Sequence, residues 1–264
     1  MKIGFFDSGL GGIVILKAVV KHLPGYDYVY VGDTANIPYG DKTEEEIYEL
    51  TKTGIVRLFE EDCLLVIVAC NTASAETLRR LQDTFLKEEY PERKVLGVIV
   101  PTLEVLIDRE ADRAILLATK RTVESNKYYV ELQKLAPNIS LTSIAAPELV
   151  PLIETHKLDE ATKAAQTLLE ETAVGKGDVV ILGCTHYTLL KDNLQERFPD
   201  VRFLSQDEII PEKVSNYLSQ HPEIAARLTN TGERKIHLTA HKPEYDQLAA
   251  EFLNGVYVSP ESQV

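Results

Sequence analysis

The chain has 264 residues, 44% of them hydrophobic and 26% charged, proportions that suit one large or two ordinary globular domains. A formal net charge of -13 argues against the basic footprint of a nucleic-acid binder or of a reader of anionic membranes. No apolar stretch approaches the ~20 residues needed to span a bilayer, and the three cysteines include no CxxC pair.

Residues 2–7 read as a strand and lead into the polar, glycine-rich turn Asp7-Ser8-Gly9-Leu10-Gly11-Gly12, without the apolar region of a signal peptide. Free thiols in a reducing cytoplasm are the expectation. Gly12–His22 then has a helical pattern, Tyr28–Gly32 reads as a strand, and the Glu-rich stretch Thr43–Glu61 as a long helix. The spacing predicts a strand over Leu64–Ala69, a helix over Ser74–Glu89, and strands over Lys94–Val100 and Ala114–Ala118. A helix over Val123–Leu135 and a strand over Ile139–Ile144 follow. Pro147–Glu154 and Asp159–Thr172 read as helices, Asp178–Gly183 as a strand and Tyr187–Phe198 as a helix. Alternation of this kind predicts an α/β fold of largely parallel sheets covered by helices.

Two of the cysteines occupy matched places. Cys70 and Cys184 each end a β-branched, buried-type run and begin a polar turn, in VIVACNTASAETLRRL and VILGCTHYTLLKDNL. In an open α/β sheet these are the carboxyl ends of strands, where ligands bind. The segment ending at Asp7 has a weaker counterpart in Ile115–Thr119. Two pseudo-symmetric lobes facing each other across a cleft are therefore predicted, the first formed by residues 1–97 and 206–264 and the second by 98–205.

A thiol ordinarily titrates near about 8.5, and helix-terminal amides after a strand end can lower that value toward neutrality. A thiolate on one side of a substrate could then remove a proton that a thiol on the other side replaces. A lone cysteine is more often an inert core residue, and Cys63, followed by Leu64 and Leu65, is read that way. The polar neighbours Asn71-Thr72 and Thr185-His186 favour chemistry at the other two. Asp7 fits either a helix cap or a group orienting a neighbouring base. The glycines after it expose amides to an anion, although neither the P-loop nor the Rossmann spacing is present. The loop Gly32–Gly40, after the second strand, falls on the same rim as Asp7 and Cys70. His186 stands beside a candidate thiol, whereas His22, His156, His221, His237 and His241 are assigned surface or capping roles. Ligand spacing for a zinc site is missing.

Taken together, FDSGLGG at 6–12, GDTANIPYG at 32–40, VACNTAS at 68–74, VPLIE at 150–154 and ILGCTHYTLL at 181–190 resemble the glutamate racemases of the cofactor-independent aspartate/glutamate racemase superfamily. Weaker similarity continues through GVIVPT at 97–102, ATKRTVES at 118–125 and the final strand and helix, so the likeness covers nearly the whole chain. The resemblance implies interconversion of L- and D-glutamate for peptidoglycan synthesis, without pyridoxal phosphate or metal. The active site would lie between the two lobes of a cytoplasmic homodimer whose ligand is a small molecule, with no nucleic acid or membrane partner. It implies that Cys70 takes the proton from D-glutamate and Cys184 the proton from L-glutamate, with Asp7 assisting the first and His186 and Glu154 the second. Substrate contacts would fall on Asp7, Ser8, Pro38, Tyr39, Gly40, Asn71, Thr72, Thr119, Thr122, Thr185 and His186. Another racemase of the superfamily, acting on aspartate, is the alternative. The chain departs from the pattern at Val100, at Thr102 (commonly Gly) and at Ala146 (commonly near a Cys), changes that bear on substrate fit, packing or subunit contacts.

Overall fold

Five strands pair in parallel around β1 (Lys2–Asp7), a strand buried from Ile3 onward. The computed structural model describes residues 1–109 and 111–240, and the prediction for His241, like the final helix, lies outside the described residues. In chain order α1 (Gly12–His22), β2 (Tyr28–Gly32), α2 (Glu44–Glu60) and β3 (Cys63–Val68) follow. Three short helices come next, α3 (Asn71–Glu76), α4 (Leu78–Asp83) and α5 (Phe85–Glu89), and then β4 (Lys94–Gly97) and α6 (Ile99–Asp108). The second half contains β5 (Arg113–Ala118), α7 (Lys120–Glu124), α8 (Lys127–Leu135), β6 (Ser140–Ala145), α9 (Leu149–Glu154), α10 (Leu158–Glu171) and β7 (Val179–Gly183). A 3₁₀ turn (Thr185–Leu190), α11 (Lys191–Arg197), β8 (Arg202–Leu204), α12 (Gln206–Gln220), α13 (Pro222–Ala225) and β9 (Arg234–Leu238) complete it.

The first sheet has the order β4-β3-β1-β2-β9 and the second β6-β5-β7-β8. Read from the opposite edge, the second sheet runs β8-β7-β5-β6, the order of the first with β9 removed. Thus β5 takes the place of β1 and β7 that of β3, which is the correspondence of Cys70 with Cys184 seen in the sequence. Every strand pair is parallel, so the central strands are covered on both faces and read as continuous apolar runs. α12 returns from the second sheet to pack against α1 and α6, and β9 then pairs with β2.

Several predicted helices are interrupted, for identifiable reasons. The stretch 74–89 is three helices because the hydroxyls of Thr77 and Thr84 donate to the carbonyls of Ala73 (2.8 Å) and Arg80 (2.7 Å), competing with the helical ladder. The helix predicted over 123–135 breaks at Asn126, which has φ 54°. The stretch 187–198 begins as the 3₁₀ turn and becomes α-helical only at Lys191. The strand predicted over 94–100 stops at Gly97, and the apolar residues beyond it open α6. Pro101 sits in the first turn of α6, where a missing N–H costs nothing. α2, in contrast, starts where its capping box directs: Thr43 accepts from the Glu46 amide while the Glu46 carboxylate accepts from the Thr43 amide.

Candidate active site

The carboxyl ends of β1 and β3 face those of β5 and β7 across a narrow cleft of about 110 Å³. Cys70 and Cys184 both line it, with Ser8, Pro38, Tyr39, Gly40, Asn71, Thr72, Thr119, Glu154, Thr185 and His186. Drug-sized ligands occupy pockets of about 300–1,000 Å³, so this space suits a ligand of few heavy atoms. Asp7 and Thr122 are not on its surface: both are fully buried behind it. Ile37, Lys120, Val150 and Pro151, which belong to the matching segments without having been singled out, complete the lining with Asp41 and Pro147, which lie just outside them.

Cys70 ends β3 and caps α3, its sulfur accepting from the Ala73 amide at 3.4 Å and lying 3.4 Å from the Ser8 hydroxyl, to which the thiol donates. The expectation of a lowered thiol pKa is not met at this residue. Burial and the neighbouring Asp7 carboxylate push the Cys70 thiol up to about 12, outweighing the Ser8 and Ala73 contacts. Asp7 itself is raised by burial. Its carboxylate accepts from the Gly9 amide at 2.9 Å and from the Thr185 hydroxyl at 3.3 Å, while the Gly12 amide also faces it. Asp7 therefore holds the turn into α1 and at the same time bears on Cys70, and the Gly9 amide is not free for a ligand.

The other side is built differently. The Cys184 sulfur lies 3.9 Å from His186 Nδ1, and His186 Nε2 lies 3.0 Å from Glu154 Oε1, so α9 and the 3₁₀ turn supply a relay. Burial pulls the imidazole pKa down, but the contacts with Cys184 and Glu154 dominate and raise it to about 10. His186 is thus an imidazolium near neutral pH. Between the lobes the hydroxyls of Thr72, Thr119 and Thr122 form a closed triangle, with separations of 2.9, 3.2 and 2.9 Å. Thr122 touches the cleft only through these two hydroxyls.

His237, assigned a surface or capping role from sequence, is instead buried on β9, with Glu61 at 3.0 Å and Arg57 at 3.3 Å. β9 pairs with β2 and is covered by the end of α2, a long-range arrangement that local patterning does not encode. Asp33 accepts from Tyr39 (2.7 Å), Asn36 (2.9 Å) and Thr239 (2.7 Å), and so ties the cleft loop to the end of β9, a role its place in the Gly32–Gly40 loop does not reveal. Cys63 is fully buried in the core and does not line the cleft. No helix among the described residues is long and apolar enough to cross a membrane.

Two parallel sheets of one strand order, with a thiol at the end of corresponding strands and both thiols in one cleft, define a two-lobed α/β protein equipped for proton transfer. The model of the Asp/Glu/Hydantoin racemase family matches residues 14–210, and the chain belongs to that family. It is 38% identical over 264 residues to a glutamate racemase of Phenylobacterium zucineum, an alignment spanning 88% of this chain and 93% of that one. Among solved structures it is similar to glutamate racemase isoform RacE1 of Bacillus anthracis, with a TM-score of 0.87 and 27% identity over 100% of this chain and 97% of the other. It is also similar to the glutamate racemase of Francisella tularensis in complex with D-glutamate, with a TM-score of 0.84 and 26% identity over 98% and 96% of the two chains.

Proposed function

We infer that this chain is a glutamate racemase that interconverts L- and D-glutamate by proton transfer at the α-carbon between Cys70 and Cys184, supplying D-glutamate for peptidoglycan. The observation that carries this reading is that thiols from corresponding strands of the two sheets line one small cleft, each with a different ionisable partner.

With L-glutamate bound, Cys184 as thiolate removes the α-proton and becomes a thiol. The imidazolium of His186 is the cationic partner that an anionic base needs there, and Glu154 orients it. Cys70, which the buried Asp7 favours as a neutral thiol, delivers its proton to the opposite face of the planar carbanion and is left as thiolate. In the reverse direction the roles exchange, so the two sulfurs must carry one proton between them at the start of each turnover. Two groups on opposite faces spare a single base from having to reach both. Hydroxyls of Ser8, Thr72, Thr119 and Thr185, with the Asn71 amide, would hold the carboxylates, and a closed cleft strengthens each of these contacts. None of these steps calls for a metal or pyridoxal phosphate. The protein is proposed to act in the cytoplasm as a homodimer.

Circular dichroism of L-glutamate, D-glutamate and L-aspartate incubated with the protein tests this reading. The signal of either glutamate enantiomer should decay to zero while that of L-aspartate persists, and Cys70→Ala or Cys184→Ala should abolish the decay. An unchanged signal with both glutamates, or full activity in either cysteine variant, would overturn the assignment. Decay with aspartate alone would transfer it to the alternative substrate.

A further inference from the structure

Asn71 opens α3 directly after Cys70 and lines the cleft, yet it is only 2% exposed. Its carboxamide oxygen is fully engaged. The Tyr128 hydroxyl donates to Oδ1 at 2.6 Å, and Gln206 Nε2 donates to the same oxygen at 3.2 Å. A separation of 2.6 Å belongs to an O–H···O bond and is too short for an amide nitrogen, for which about 2.7–3.2 Å is usual. The carboxamide is therefore oriented with its oxygen toward Tyr128. Its Nδ2, also buried, has no protein partner. A buried donor left open on the wall of a cleft is a group reserved for a ligand acceptor.

We propose that Tyr128 and Gln206 are positioning residues, which lock the Asn71 carboxamide with its oxygen turned into the protein so that its NH₂ group is presented to a carboxylate of the substrate. The two residues come from different parts of the fold, Tyr128 from α8 and Gln206 from the first position of α12. Both are fully buried and neither lines the cleft, so each acts through Asn71. Gln206 Nε2 also lies 3.4 Å from the Tyr128 oxygen, which closes the three groups into one cluster. Thr102, one of the positions that depart from the family pattern, donates to the Val98 carbonyl at 2.7 Å and places its hydroxyl beside that of Tyr128. Burial raises the Tyr128 pKa, so the phenol keeps its proton and remains a donor. Without the cluster the carboxamide could turn over and present its oxygen, an acceptor that repels a carboxylate.

The choice of carboxylate as ligand rests on the glutamate racemase reading; the orientation of Asn71 does not. Tyr128→Phe removes one hydroxyl and leaves the packing intact. It should raise the KM for both glutamate enantiomers about tenfold or more while kcat changes little, because the lost contact is made in ground and transition states alike. In an Asn71→Ala background the same change should have no further effect. Gln206→Met should behave in the same way. The side-chain amide NMR signal of Asn71, assigned by its loss in Asn71→Ala, should shift or broaden in substrate-free Tyr128→Phe and stay in place in Thr167→Ala, a change on the exposed face of α10. An unmoved Asn71 signal, or KM effects of Tyr128→Phe and Asn71→Ala that multiply, would overturn the proposal. A wild type that racemises neither enantiomer would instead overturn the functional reading, and the amide signal would still report whether Tyr128 orients Asn71.

Discussion

Cys70 and Cys184 hold equivalent positions in their sheets, but they have opposite electrostatic company. Cys70 shares its surroundings with a buried carboxylate, which penalises a second negative charge; Cys184 faces a buried imidazolium. The two ends of the cleft therefore differ: a carboxylate beside Cys70 disfavours a thiolate there, and a cation stands beside Cys184. The same groups make stability depend on pH. His186 has its pKa raised from an ordinary 6.5 to about 10 in the folded chain. A basic group bound more tightly to its proton in the folded state stabilises fully below its unfolded pKa, and that contribution disappears as pH rises through the folded value. The melting temperature is therefore expected to fall between pH 6.5 and about 10, and His186→Asn should flatten this part of the curve. Equal slopes for the two proteins in thermal melts would show that the imidazolium is not held as described.

Among the elements, the 3₁₀ turn after β7 and the start of α1 approach closely between the halves. Gly11 has φ -58°, a conformation open to any residue, so its lack of a side chain answers to space and not to backbone freedom. A methyl group there would meet the Thr185 hydroxyl and, at 2.9 Å, His186 Nδ1. Gly11→Ala should improve helix propensity locally and still lose about 1–3 kcal/mol of stability through overpacking. Because the displaced residues are Thr185 and His186, kcat/KM should fall as well, by about tenfold or more if His186 moves from Cys184. Unchanged melting and unchanged kinetics would contradict this close approach. The short, interrupted helices have a related logic. The turn that follows each thiol must put side chains into the cleft, and long regular helices were predicted where hydroxyl back-bonding at Thr77 and Thr84 and the left-handed Asn126 divide them.

At the scale of the molecule, the cleft exists because two sheets whose strand orders correspond, β9 aside, present their carboxyl ends to one another. Contacts between the two halves include Thr72 with Thr119 and Thr122, and Asp7 with Thr185. A ligand held by both halves should therefore add to the stability of the whole. At concentrations near 100 times the dissociation constant, either enantiomer of glutamate should add about 2.7 kcal/mol, read as a rise in melting temperature. L-Aspartate, one methylene shorter, should produce a smaller shift at equal concentration. The absence of a shift with either glutamate enantiomer would argue that the two halves do not share the ligand.

The amino-acid sequence by itself determined the alternation of strands and helices, the relation between the two halves, and the identity of Cys70, Cys184 and their immediate neighbours. Those features are local: β-branched runs end in polar turns, and the second run resembles the first. The family resemblance already pointed to Asp7, His186 and Glu154, but only the tertiary structure decided how these groups contact one another and which further residues support them. Glu154 meets His186 from another element, Asp7 reaches Thr185 across the cleft, and Tyr128 and Gln206 converge on Asn71. The direction of the Cys70 pKa shift depended on the same thing, since burial and Asp7 outweigh the local helix amide on which the sequence-based expectation rested. The burial of His237 has the same kind of origin, in the pairing of β9 with β2 and the contacts with Arg57 and Glu61 at the end of α2. Periodicity and turn chemistry act over a few residues, whereas desolvation and charge act through space, and only the folded chain fixes which groups are near enough to feel them.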